Sequence, residues 1–247
     1  MTYHALVPAD VERLDPKFLE LARQVSTATL TSQLLRRGFA NTVMYGVVPL
    51  RPDLRLAGQT FTLRYIPARE DLDPAETDNR TSKQRIAVES VGPGDVLVID
   101  ARGDARAATL GDILATRIKV RGAAGIVTDG AFRDTPSIRS IDLPTYAQGQ
   151  SPYVSTRVHH PLEINVPIGC GGVAVMPGDV VVGDGEGVVV IPRGLAEDVI
   201  AAAYEQDQRE QFIRDKIQRG ASLLGVYPPD EQTLHEYEEW RRGRGRG

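Results

Sequence analysis

The sequence predicts an α/β fold, and three observations carry that expectation. Short runs rich in valine and isoleucine, closed by Gly, Pro or Asp turn signals, are interleaved with stretches whose apolar residues recur at helical spacing. One segment, Val96 to Thr128, reads strand, helix, strand, the unit from which parallel sheets are built. With 247 residues, 41% hydrophobic and 25% charged, the chain can bury a substantial core, and its length fits one domain better than two.

The first expected element is helical, over 16 to 38. Phe18, Leu19, Ala22, Val25, Leu30, Leu34 and Leu35 recur near helical spacing, Ser26 marks a break between two helices, and Gly38 is placed to end the second. From Val43 to Ile66 the pattern turns to strands: Val47 to Leu50, a Pro52-Asp53 turn, then Gly58 to Leu63. The acidic stretch Glu70 to Arg80 reads as a surface loop and Lys83 to Val91 as a short helix. The turn Gly92-Pro93-Gly94-Asp95 then leads into the strand Val96 to Ile99.

Gly111 to Val120 reads as a helix stopped by Gly122, and Gly125 to Thr128 as the next strand, with Asp129-Gly130 as the turn leaving its C-terminal end. Ligands bind at such ends in α/β proteins. PGDVLVID at 93 to 100 is echoed by PGDVVVGD at 177 to 184; with no longer period in support, this is the same turn chemistry used twice rather than a duplication. Val188 to Ile191 is a strand closed by Pro192, and Leu195 to Arg219 a long helix ending at Gly220. The tail from Pro228 holds a short helix, Glu231 to Arg242, and finishes as RRGRGRG, read as a frayed, solvated end.

Composition narrows the function classes. The net charge of −4 speaks against a broad nucleic-acid surface, which needs cations to neutralise phosphates. No run approaches a membrane span and MTYHALVPADVERLD lacks the apolar core of a signal peptide, so a cytoplasmic location is expected. Cys170 is the only cysteine, which excludes an internal disulfide and a cysteine-rich zinc cluster. Lysine occurs only at 17, 83, 119 and 216, so basic charge is carried by arginine, the better fork for planar carboxylates.

The densest chemical signal lies between Gly111 and Asp134. A helix opening on Gly-Asp-Ile-Leu offers unpaired backbone N–H groups to an anion. Arg133 can close on the same anion as a bidentate partner, and Asp134 can hold a hard cation through oxygen. Spacing alone leaves open a capping role for Asp112 and a surface ion pair or helix cap for Arg133 and Asp134.

Asp112, twenty residues, then Arg133-Asp134, inside GDILATRIKVRGAAGIVTDGAFRD, resembles the RraA-like family. The family includes class II 4-hydroxy-4-methyl-2-oxoglutarate aldolases that also decarboxylate oxaloacetate. The likeness runs from TATLTSQLLRRG through GQTFTLR and PGDVVVGDGEGVVVIP to EQFIRDKIQRGASL, about residues 26 to 224. It implies a single catalytic domain over 1–225 with a C-terminal extension over 226–247, and a layered ββα sandwich of the swivelling-domain-like kind. It further implies that Asp134 ligates Mg²⁺ or Mn²⁺ directly, and that Gly111, Asp112, Ile113, Leu114 and Arg133 hold a small 2-oxo acid. Asp112 would act through a metal-bound water. Glu210, from a neighbouring subunit of a homotrimer or a dimer of trimers, would reach the metal's water shell.

Other readings are weaker. A Schiff-base aldolase needs a lysine of lowered pKa in an apolar pocket, and Lys119 is the only candidate near the site. His159 and His160, adjacent in an extended chain, face opposite ways and belong to no ligand spacing. Arg102-Gly103-Asp104 is an adhesion-like triplet without context, and Gly169 to Gly172 lacks the strand-turn-helix setting of a dinucleotide loop. The same absence of a glycine-rich nucleotide loop speaks against a menaquinone methyltransferase label used for relatives. The serious alternative is a non-enzymatic regulator of RNase E, after which the family is named.

Overall fold

Ser26 divides the first helical stretch because its hydroxyl accepts the Thr29 N–H at 3.1 Å, capping a new helix while the chain changes direction. The computed structural model describes residues 12–72, 78 and 80–244, so 1–11, the final 245–247 and, in the expected acidic loop, 73–77 and 79 lie outside the described residues. In chain order the elements are α1 (Pro16–Ala22), α2 (Thr27–Arg36), β1 (Val48–Pro49), β2 (Leu56–Pro67), α3 (Lys83–Ser90), β3 (Asp95–Asp100), β4 (Ala108–Leu110), α4 (Asp112–Val120), β5 (Gly125–Phe132), α5 (Thr135–Ser140) and β6 (Thr145–Gln150). There follow β7 (His159–Ile164), β8 (Ile168–Cys170), β9 (Val173–Val175), β10 (Val180–Asp184), β11 (Gly187–Ile191), α6 (Ala196–Gln218) and α7 (Glu231–Arg244).

Among the described residues nine strands form one sheet in the order β1-β6-β5-β3-β2-β10-β11, with β4 on β5 and β7 on β2. The pairings from β6 through β5 and β3 to β2 are parallel, and those of β10 with β2 and β11 are antiparallel. The two ends of this path nearly meet. Just before β1, Met44 donates to the Val188 carbonyl at 3.0 Å and Thr42 accepts from Val190 at 2.8 Å, so the sheet curls into an almost closed barrel. The hairpin β8-β9 packs Ile168, Cys170, Val173 and Val175 against the inward-facing residues of the sheet.

Strand alternation sorts side chains between an inner and an outer layer. Val96, Val98, Val127, Tyr146, Val181 and Val188 point into the barrel with Cys170 and Val175. Leu97, Ile99, Phe61 and Leu63 point outward, where Ala87, Ala115 and Ile138 of α3, α4 and α5 cover them. Val180, Val182 and Val189 meet α1, α2 and α6 on a second outer face. Burial on both faces explains why these strands read as unbroken apolar runs. The α/β class and the layering of helices on strands agree with expectation.

The paired PGD turns are built alike. Gly94 and Gly178 have φ of 80° and 88°, a region glycine enters without strain. The Asp95 carboxylate accepts the Gly92 N–H at 2.9 Å and that of Asp179 the Met176 N–H at 2.8 Å. Both turns flank Gln59 of β2. Its amide reaches the Gly178 and Glu12 carbonyls at 3.2 and 3.0 Å, and its oxygen accepts the Leu14 N–H at 2.9 Å.

Two expectations are corrected. Asp129-Gly130 is not a turn: β5 continues to Phe132 past a register shift between Thr128 and Ala131. The Asp129 carboxylate is turned inward onto the N–H groups of Ala101, Gly103 and Gly171, and a Cβ on Gly130 would stand 2.6 Å from that of Ala101. Close packing, not chain reversal, requires this glycine. Nor is the described part of the tail frayed: α7 runs to Arg244 and packs on α6 through Phe212, Tyr237 and Trp240.

Candidate active site

Pairing of β4 with β5 brings the two halves of the motif together. Leu110 lies opposite Phe132, and the Arg133 N–H donates to the Leu110 carbonyl at 3.2 Å. Gly111 in extended conformation precedes α4, whose first α-helical bond runs from Ala115 to Gly111. The N–H groups of Asp112, Ile113 and Leu114 therefore have no partner within the helix and form a positive end.

Arg133 and Asp134 lie against that end. The Arg133 Nε is 3.0 Å from Asp134 Oδ2, and both side chains are partly exposed. Asp134 opens α5 in the left-handed region, φ 56° and ψ 33°, yet its carboxylate caps nothing. Its carboxylate faces Arg133 instead of capping α5. Gly111 is required beside it, because a Cβ there would stand 2.6 Å from Asp134 Oδ2 and 3.1 Å from Arg133 Cγ. Asp112 makes no hydrogen bond or ion pair among the described residues. All of these residues line one cavity of about 250 Å³.

The remaining lining comes from residues that the sequence did not single out: Gln84 and Arg85 in the first turn of α3, and Val154, Ser155 and Thr156 around a short helical turn. A buried tyrosine fixes the first of them: Tyr65 Oη donates to the Thr109 carbonyl at 3.1 Å and accepts from Gln84 Nε2 at 3.0 Å. Burial drives its pKa far upward, so it stays a neutral donor. No residue spacing reports such a hub, since its members are distant in sequence.

The other candidates fall elsewhere. Glu210 lies on α6, accepting from Gln206 Nε2 at 2.7 Å, outside its own chain's cavity. Lys119 is ion-paired with Asp142 at 3.2 Å and partly exposed, far from the apolar setting a Schiff-base lysine needs. His159 is buried and stacked on Tyr65 with ring centroids 5.4 Å apart, while its neighbour His160 is more exposed. Burial lowers the pKa of His159. Arg102 and Gly103, at φ 62° and 66°, form a tight loop pinned by Asp129, and Gly171-Gly172 is the turn of the β8-β9 hairpin. Among the described residues no three His, Cys, Asp or Glu side chains gather as a ligand set, and no helix is long and apolar enough to cross a membrane.

Comparison with known proteins adds an independent line. The profile of the RraA-like family, described as Aldolase/RraA, matches residues 27–190. A protein of Halalkalibacterium halodurans, provisionally named a 4-hydroxy-4-methyl-2-oxoglutarate aldolase, is 40% identical over 152 residues, covering 58% of this chain and 72% of that protein. The crystal structure of Streptomyces coelicolor RraAS2, described as an unusual member of the RNase ES inhibitor RraA family, superposes with a TM-score of 0.74 at 36% identity, over 82% of this chain and 98% of that one. An uncharacterized protein from Pseudomonas syringae pv. tomato superposes with a TM-score of 0.76 at 25% identity, over 87% and 99% of the two chains.

Proposed function

The chain belongs to the RraA-like family, and from that premise we propose that it is a divalent-metal-dependent lyase that breaks a carbon–carbon bond in a small 2-oxo acid. The observation that carries this reading is the convergence of Arg133, Asp134, an unpartnered Asp112 and the open N-terminus of α4 on one small cavity. The candidate substrates are 4-hydroxy-4-methyl-2-oxoglutarate, for aldol cleavage, and oxaloacetate, for decarboxylation.

One direct carboxylate ligand with water in the other positions suits Mg²⁺ or Mn²⁺, and the carboxylate of Asp134, which caps no helix, fits that role with Asp112 nearby. When bound, the cation supplies a Lewis acid for the 2-oxo group. Arg133 grips the 1-carboxylate through its guanidinium fork, which fixes the scissile bond. As the C3–C4 bond breaks, its electron pair moves toward the C2 oxygen, and the N–H groups of Asp112, Ile113 and Leu114 stabilise the charge of the pyruvate enolate. Asp112, through a water, takes the proton of the 4-hydroxyl and returns one to C3. Oxaloacetate loses CO₂ and needs only the second of these transfers.

Glu210 lies outside its own cavity, so its proposed part in the metal's water shell is played in a neighbouring copy of a homotrimer or a dimer of trimers. A second reading, a regulator of RNase E type, is favoured by the likeness to RraAS2. Pyruvate release from both substrates, with Mg²⁺, with EDTA and for Asp134→Ala, separates the two. Turnover should be lost both with EDTA and in the variant; no turnover of either acid with any metal moves the reading to the regulator.

A further inference from the structure

The cavity carries two arginines in unequal states. Arg133 is engaged with Asp134, whereas Arg85 makes no hydrogen bond or ion pair among the described residues. Its neighbour Gln84 is committed twice, donating to Tyr65 Oη at 3.0 Å and to the Thr109 carbonyl at 2.5 Å. Thr109 stands two residues before Gly111. One buried hydroxyl thus ties the first turn of α3 to the strand that leads into α4, and the Ala108 N–H of that strand donates to the Tyr153 carbonyl at 3.0 Å. The backbone that carries Arg85 is set relative to the anion-binding end, and Arg85, exposed, lines the same cavity.

We propose that Arg85 is a specificity-determining residue that binds the distal carboxylate of a dianionic 2-oxo acid whose 1-carboxylate is held by Arg133. The proposal rests on the 2-oxo acid reading of the site. A cavity of about 250 Å³ is smaller than the ~300–1,000 Å³ of drug-sized sites and suits a short acid. Two arginines line this one cavity, and a ligand with a carboxylate at each end can pair with both. Ser155 and Thr156 add hydroxyl groups to the same part of the lining. A hydroxylated chain without a second anion, such as a sugar-derived 2-oxo-3-deoxy acid, leaves Arg85 unpaired and binds less well.

The test uses two acids of equal chain length that cannot undergo aldol cleavage, 2-oxoglutarate and 2-oxopentanoate, titrated calorimetrically into the Mg²⁺-supplemented protein. The parent should bind 2-oxoglutarate about tenfold tighter or more, the worth of one charge-assisted pair. Arg85→Gln should close that gap and leave 2-oxopentanoate unchanged, and Arg85→Lys should restore part of it. No preference in the parent, or a variant that weakens both acids equally or neither, overturns the assignment. Binding of the expected pattern without turnover of any hydroxylated 2-oxo acid overturns the lyase reading alone. Binding of neither acid overturns both.

Discussion

Gly111 has no room for a methyl group on the side facing Asp134. Its backbone is in ordinary extended conformation, so Gly111→Ala should leave the melting temperature within a few degrees while lowering kcat/KM by about tenfold or more, because the added carbon displaces the carboxylate and Arg133. An unchanged kcat/KM would mean that Asp134 does not act from the position described. Asp134 itself occupies a left-handed conformation that asparagine tolerates and alanine does not. Asp134→Asn should therefore be more stable than Asp134→Ala by about 1 kcal/mol, with both inactive, which chemical denaturation and pyruvate assay would read together. His159 gives the pH dependence. Burial holds its folded-state pKa below 6.5, so the unfolded chain takes up a proton that the fold resists; stability is fully present above 6.5 and is lost as pH falls through the lowered value. The part-buried Asp100 and the buried Asp129 and Asp179, whose pKa values burial raises, act with the opposite sign at lower pH. His159→Gln should flatten the decline of melting temperature just below pH 6.5; an unaltered slope would place its cause elsewhere.

Among the elements, α7 was expected as a helix over Glu231 to Arg242, but its packing was not. Half of its residues are charged, and a low apolar content reads as a solvated end; what the sequence cannot display is that Tyr237 and Trp240 meet Phe212 of α6 at centroid distances of 5.8 and 5.6 Å. Tyr237 Oη also donates to Glu205 at 2.9 Å. Tyr237→Phe should cost about 1 kcal/mol and Trp240→Ala about 2 kcal/mol. Hydrogen exchange should quicken over the second half of α6 and over α7, with the cavity residues unaffected. The helix pair α1 and α2, the strand at 96–99 and the long α6 were legible because cap, turn and periodicity agree locally. The continuation of β5 was not, because Asp129 and Gly130 carry a turn signature and serve instead as an inward clip and a close-packing position. Likewise Arg133 and Asp134 were visible as a motif, but Gln84 and its neighbour Arg85 are set by Tyr65 and the Thr109 carbonyl, groups distant in sequence.

At the scale of the whole molecule, the nearly closed sheet leaves α6 on the outside, with Glu210 away from its own cavity. Sites shared between copies have a direct signature: Asp134→Ala and Glu210→Ala should each be inactive alone, and mixing them under exchange should rebuild about one quarter of the sites of a cyclic trimer. Mixtures as inactive as their components would sink the shared site. The clasp around Gln59 carries a different consequence. A single amide joins both PGD turns' neighbourhood to the chain at Glu12 and Leu14, and the described chain before α1 has no strand or helix of its own. Adjacent Arg13, paired with Asp95, is half exposed and is a trypsin site only if its backbone can leave the surface. Gln59→Leu keeps the side-chain bulk but removes all three bonds, so the first peptide bond cut in a brief tryptic digest should become the one after Arg13, turning a stable fold with a fastened leading edge into one that is trimmed from that edge.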